Sequence, residues 1–109
     1  MGRRARRAVL ALLAALTLTA CTVEEQIRWA FRNHPTAVQD QAVRVAWCES
    51  RFVPDARSPS GEHVGIFQMS LRYHGWRPGM DAWWEPVANA VAAEHLYREQ
   101  GWRPWSCRP

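Results

Sequence analysis

Residues 51–62 divide this chain. The run Val53-Pro54-Asp55-Ala56-Arg57-Ser58-Pro59-Ser60-Gly61 sets two prolines and a glycine among short polar side chains. Proline lacks a backbone donor and glycine loses the most entropy on ordering, so neither a helix nor a strand can run through this segment. An ordered loop is expected there, with regular structure on either side. Upstream, residues 24–33 place Ile27, Ala30 and Phe31 on one helical side before His34-Pro35 breaks the pattern. Thr36, followed three residues later by Gln39, fits a capping box, and Ala42, Val43, Ala46 and Trp47 give the next helix an apolar stripe to bury. That helix delivers Glu49 at or near its C-terminal end. Downstream, residues 63–71 are short and apolar, open to a strand or a helical turn; a turn leading into a short helix is the expectation. Residues 73–84, with Gly75, Pro78, Gly79 and several aromatics, form a second irregular stretch able to line a cleft. Pro86 suits the first position of a helix that carries Val87, Ala90, Val91 and Leu96 and stops at Gly101. The fold class is mainly α, a single small domain with ordered loops and no internal repeat.

The N-terminus is of a different kind. Arg3, Arg4, Arg6 and Arg7 precede an apolar run over residues 8–16, and Leu18-Thr19-Ala20-Cys21 resembles the lipobox of bacterial lipoprotein precursors. The expected division is a lipoprotein signal peptide at 1–20, a lipidated N-terminus and first helix at 21–35, and the main folded domain at 36–109. Lipid on Cys21 would be the membrane attachment. The apolar run falls short of the roughly 20 residues that a spanning helix needs. Arg6-Arg7 also resembles a twin-arginine export signal, though ordinary basic flanking residues account for it equally well.

The formal charge of +4 resides in those four leading arginines, so the remainder of the chain is balanced. No lysine is present and no basic cluster remains to track a phosphate backbone, which excludes nucleic acid as the expected partner. Three cysteines leave one odd, and the lipobox accounts for it: Cys21 takes lipid, leaving Cys48 and Cys107 to pair. Two separate buried thiols are the alternative. With about 89 residues to form a core, a bridge matters, and closing so long a loop contributes about 4 kcal/mol in the chain-entropy model. An oxidising compartment favours it.

Glu49 is the residue with chemical promise. Trp47, Cys48 and Phe52 around it offer apolar surface, and desolvation raises a carboxyl pKa so that it holds a proton near neutral pH. A solvated glutamate at a helix end is the alternative.

Glu49-Ser50-Arg51-Phe52, Ser58-Pro59-Ser60-Gly61 and Gly65-Ile66-Phe67-Gln68 together resemble the lytic transglycosylase family with its lysozyme-like fold, which carries E-S-x-F, S-P-x-G and G-L-M-Q segments. Asn89-Ala90 and the ending Gly101-Trp102-Arg103-Pro104-Trp105-Ser106-Cys107 are similar to small actinobacterial members. A cysteine before the glutamate, paired with a C-terminal cysteine, resembles the resuscitation-promoting factors. The likeness spans residues 38–107. The chain departs from the family in one extra residue between Gly61 and Gly65, in Phe67 where methionine is usual, and in lacking an A-Y-N segment.

The resemblance implies cleavage of the MurNAc-GlcNAc bond of peptidoglycan without water. Glycosidases normally use two carboxylates, about 5 Å apart for retention or about 6.5 to 9.5 Å for inversion, and here only Glu49 has the expected context. Glu49 would protonate the glycosidic oxygen, then as carboxylate take the proton of the C6 hydroxyl, leaving a 1,6-anhydro-muramoyl end. The alternatives are a hydrolytic muramidase, in which Glu62 or Asp55 orients water, and a non-catalytic wall-binding lipoprotein. Asp55 reads equally as a turn residue beside Pro54.

By the same resemblance, Ser58 faces the glutamate, with a local turn cap as its rival role. Gln68 and Asn89 would contact sugar hydroxyl or acetamido groups, against loop satisfaction for Gln68 and a helix-surface amide for Asn89. Of the seven tryptophans, Trp29, Trp47 and Trp102 sit at core positions, while Trp76, Trp83 and Trp84 are placed for sugar stacking, Trp76 and Trp84 being the assigned subsite residues. The four histidines show no metal-ligand spacing, so neither metal nor organic cofactor is expected. The expected setting is a monomer outside the membrane, lipid-anchored or secreted, facing peptidoglycan glycan strands.

Overall fold

A capping box opens the described fold. The computed structural model describes residues 21–109; the leader assigned to 1–20, including the arginines and the Leu18-Thr19-Ala20 part of the lipobox, lies outside the described residues. Helix α1 (Val23–Ala30) begins at Thr22, whose hydroxyl accepts from Glu25 N at 3.2 Å while the Glu25 carboxylate accepts from Thr22 N at 3.4 Å. Cys21 stands just before this cap, and its carbonyl accepts from the Gln26 amide at 3.0 Å.

Helix α2 (Thr36–Ser50) starts differently from expectation. Its N-cap is Pro35, with no side-chain cap, and Gln39 donates instead to the His34 carbonyl at 3.2 Å. A proline supplies a suitable φ but no accepting oxygen, so Thr36 falls inside the helix rather than at its cap. The buried face is Ala42, Val45, Ala46 and Ser50. Trp47 lies off it and is 49% exposed, and Trp29 on α1 is likewise at the surface. Both tryptophans therefore leave the core: a stripe at 42, 45, 46 and 50 follows the helical period, and position 47 does not.

Residues 51–62 form the expected ordered loop. Its backbone groups are satisfied by turn bonds, among them Ala56 N to Val53 O and Gly61 N to Ser58 O. The segment after it is a hairpin rather than a plain turn: β1 (His63–Val64) pairs antiparallel with β2 (Met69–Ser70), His63 opposite Ser70 and Val64 opposite Met69. Helix α3 (Leu71–His74) follows at once, capped by the Ser70 hydroxyl, and a 3-10 turn occupies Met80–Ala82. Helix α4 (Pro86–Gln100) has proline in its first turn and Gly101 at positive φ as its stop.

The described residues thus make one small, mainly helical domain. Helix α1 packs against both α2 and α4. Ile27 and Phe31 of α1, Val45 of α2, Ile66 and Phe67 of the hairpin and Leu96 of α4 form one buried cluster, with Ala90, Ala92 and Ala93 keeping α4 close to its neighbours. The tail closes over it: Trp102 donates to Gln41 at 2.9 Å, and buried Trp105 donates to the Phe67 carbonyl at 2.9 Å. Cys48 and Cys107 form a disulfide across 59 residues, with a Cα separation of 6.0 Å. Among the described residues no helix is long and apolar enough to cross a membrane.

Candidate active site

Glu49 is the penultimate residue of α2 and faces a cleft of about 380 Å³. The wall opposite is built by the hairpin and α3, through His63, Gln68, Met69, Ser70, Tyr73 and His74; the tail contributes Pro104, Trp105 and Ser106. Helix α2 ends sharply because Arg51 and Phe52 both adopt the left-handed region, at φ 53° and 63°. Neither is glycine, so the backbone stores strain two residues after Glu49, just past the helix end. Gln68, across the cleft, is also at positive φ, 49°.

Burial pushes the Glu49 carboxyl above the usual carboxylate range, while the backbone N–H of Cys107 and the nearby His63 pull it back. Its position at a helix C-terminus, the negative end of the dipole, also disfavours the charged form. The carboxyl is therefore inclined to hold a proton, while the Cys107 N–H beside it favours the anion once that proton is given up. That balance suits a group that gives a proton and takes one back. The apolar surroundings differ from those expected. Trp47 and Phe52 pair with each other at 5.2 Å on a separate patch with Val43 and Arg44, and the apolar lining of the cleft is Met69, Leu96 and Trp105.

Of the other expected site residues, Ser58 and Gln68 share the cleft with Glu49. Ser58 has its hydroxyl engaged locally, accepting from His63 N at 3.1 Å and bonding the Ser60 hydroxyl at 3.1 Å, which is the turn-cap role. Gln68 spends its Nε2 on the Ala56 and Gly65 carbonyls, at 3.1 and 3.0 Å. Its Oε1 accepts no hydrogen bond from the described residues.

Asn89 requires correction. It is fully buried, accepting from Phe67 N at 2.8 Å and donating to the Val64 carbonyl at 3.2 Å. It grips the 65–68 turn from behind and has no surface to offer a ligand. Gly65 shows how close that grip is. A Cβ there would overlap Asn89 Nδ2 and the Trp83 carbonyl, and its φ is +79°. Trp76 and Trp84 are exposed, but neither lines the cleft: Trp76 donates to the Tyr73 carbonyl and packs on His95, and Trp84 packs on Trp83. The aromatic residues that do line it are Tyr73 and Trp105, together with His63 and His74. Trp105 belongs to the tail motif, which carried no assignment to the cleft; Tyr73 and His74 fall in the stretch 73–84 expected to line a cleft, without an individual signal, because a four-residue helix has no periodicity to read.

Among the described residues Glu49 is the one carboxylate in the cleft lining. Asp55 is exposed at the loop surface. Glu62 stands behind the lining, where it accepts from the Ser70 hydroxyl at 3.1 Å. Among the described residues no group of three or more His, Cys, Asp or Glu is arranged to hold a metal ion. No protein-family model matches the chain, and no curated protein or solved structure matches it either.

Proposed function

We propose that the chain is a peptidoglycan lytic transglycosylase, with Glu49 as acid and then base. The observation that carries this reading is a single carboxyl, raised by burial and opposed by one backbone N–H, in a cleft with no second carboxylate among its described lining residues. Protonated Glu49 gives its proton to the oxygen joining C1 of MurNAc to GlcNAc, and the GlcNAc side leaves as an alcohol. The resulting Glu49 carboxylate takes the proton of the MurNAc C6 hydroxyl as O6 bonds to C1. The proton is back on Glu49 and no water has been consumed. The sequence likeness at residues 49–52, 58–61 and 65–68 names the substrate, and the lipobox at 18–21 supplies the location, a lipid on Cys21 holding the enzyme at the outer face of the membrane.

A hydrolytic reading has one observation in its favour. Ser70 lines the cleft and its hydroxyl is bonded to Glu62, so a carboxylate acts on the cleft wall through one intervening group. The two readings separate on product mass. Purified protein incubated with peptidoglycan is expected to release muropeptides one water lighter than hydrolysis would give, and the Glu49→Gln variant to release none. Equal clearing by the variant and the parent overturns the assignment of Glu49.

A further inference from the structure

Arg77 is buried and spends its guanidinium fork on one device. Its Nε donates to His74 Nδ1 at 3.0 Å, Nη1 meets His95 Nδ1 at 2.8 Å, and Nη2 is paired with the Glu99 carboxylate at 2.7 Å, with the Trp76 ring 4.5 Å from the guanidinium carbon. Arginine has no acceptor and keeps its protons at any physiological pH. A histidine nitrogen facing it must therefore present a lone pair. For His74 this fixes the ring as the neutral tautomer with its proton on Nε2. Burial and Arg77 both favour that neutral form, against Glu99.

His74 lines the same cleft as Glu49. Among the described residues its Nε2 makes no hydrogen bond, and no partnerless polar side-chain atom is sealed from solvent, so Nε2 is open. The clamp thus presents one uncharged donor of fixed orientation in the cleft. A fixed neutral donor suits an atom that only accepts and carries no full charge, which describes an amide carbonyl better than a carboxylate or a rotating hydroxyl.

We propose that His74 is a substrate-binding residue whose Nε2–H donates to the carbonyl oxygen of an N-acetyl group on the glycan, with Arg77 as its positioning residue. This rests on the glycan-cleaving reading of the cleft. The test uses the full chain carrying Glu49→Gln, so that binding is read without turnover, and two probes, the N-acetylglucosamine tetramer and its fully N-deacetylated counterpart. The parent is expected to prefer the acetylated probe, and His74→Phe to bind that probe about tenfold more weakly, in line with the loss of one buried hydrogen bond. His74→Gln, which can accept from Arg77 and donate with its amide, is expected to recover part of the loss. Nitrogen-resolved magnetic resonance of the Glu49→Gln chain should show the His74 proton on Nε2 and a shift of that nitrogen when the acetylated probe is added. This measurement does not depend on the His74 variants folding.

A proton on Nδ1, an Nε2 that does not respond, or a parent without preference for the acetylated probe overturns the proposal. Failure here leaves the broader reading standing if wild type still clears peptidoglycan and Glu49→Gln does not. Failure of that reading would appear in the clearing assay instead.

Discussion

The backbone N–H of Cys107 sits against the Glu49 carboxyl and favours its charged form, and Cys107 is disulfide-bonded to Cys48, the residue just before Glu49. The bridge and this contact tie the end of α2 to the C-terminal tail. The disulfide therefore does more than shorten the unfolded chain. It holds the Cys107 N–H beside the candidate acid, and it keeps Pro104, Trp105 and Ser106 in the cleft wall that buries it.

Removing the bridge with a Cys48→Ser, Cys107→Ser double variant should lower stability by about 4 kcal/mol in the chain-entropy model, measured by chemical denaturation. It should also move Glu49. Losing the tail removes burial, which raises the carboxyl, and the Cys107 N–H, which lowers it; burial is the larger, so the net shift is downward. The alkaline limb of activity is expected to move to lower pH in the double variant. An unchanged limb would show that the tail does not set the acidity of Glu49.

Glu49→Gln tests the cost of the acid itself. Because burial raises the Glu49 carboxyl in the folded state, the fold binds that proton more tightly than the unfolded chain does. The stability linked to it is complete below the ordinary glutamate range and is lost as pH rises through the raised folded value. The variant has no proton to lose, and its amide keeps nearly the same size and shape. It should melt above wild type near neutral pH and level with it at about pH 3, below the ordinary glutamate range. Activity should fall by at least about a hundredfold, as for loss of a general acid. Equal melting temperatures at both pH values would mean that Glu49 is not held against ionisation.

The helices, the ordered loop, the bridge and the place of Glu49 were legible because each depends on local chemistry: apolar spacing, proline and glycine breakers, and a count of three cysteines. One failure was local, and the others depended on distance through space. Thr36 and Gln39 carry a capping-box pattern, yet Pro35 takes the cap and the working box is Thr22 with Glu25. Asn89 matched a ligand contact in the sequence, but only the packing of α4 behind the hairpin shows that both ends of its amide are taken by Phe67 and Val64. Trp76 and Trp84 sat in the right segment, and side-chain direction carried them away from the cleft. The Arg77 clamp joins α3 to α4 across 18 residues, a pairing that no short motif records.

Asn89 and Gly65 support the cleft from outside it, and substitutions there should damage the fold. Asn89→Ala leaves the Phe67 N–H and the Val64 carbonyl without their partner, a cost of about 2 to 5 kcal/mol for two buried groups. Gly65→Ala and Gly61→Ala make a matched pair. Both glycines have positive φ, +79° and +76°, but an added Cβ meets Asn89 and Trp83 at position 65 and nothing within 4 Å at position 61. Each should lose about 1 kcal/mol for the backbone conformation. Gly65→Ala should lose more, and the difference read from denaturation midpoints isolates the contact with Asn89. Equal losses would show that the turn can move away from α4.

Glu62 decides between lyase and hydrolase outcomes. Its backbone carbonyl accepts from Leu71 N at 2.8 Å and its side chain from the Ser70 hydroxyl, so it is tied into the hairpin behind the cleft lining. A glutamine at this position can still accept from Ser70 through its Oε1, which makes Glu62→Gln a test of charge rather than of folding. If Glu49 acts alone, the variant should keep its rate and continue to release water-free muropeptides. If the Glu62 carboxylate orients water through Ser70, the rate should fall by about a hundredfold or more, since a general base is lost. Wild type should then also release water-added ends. Mass spectrometry of the muropeptides from both proteins, taken with their rates, distinguishes the two chemistries on one substrate.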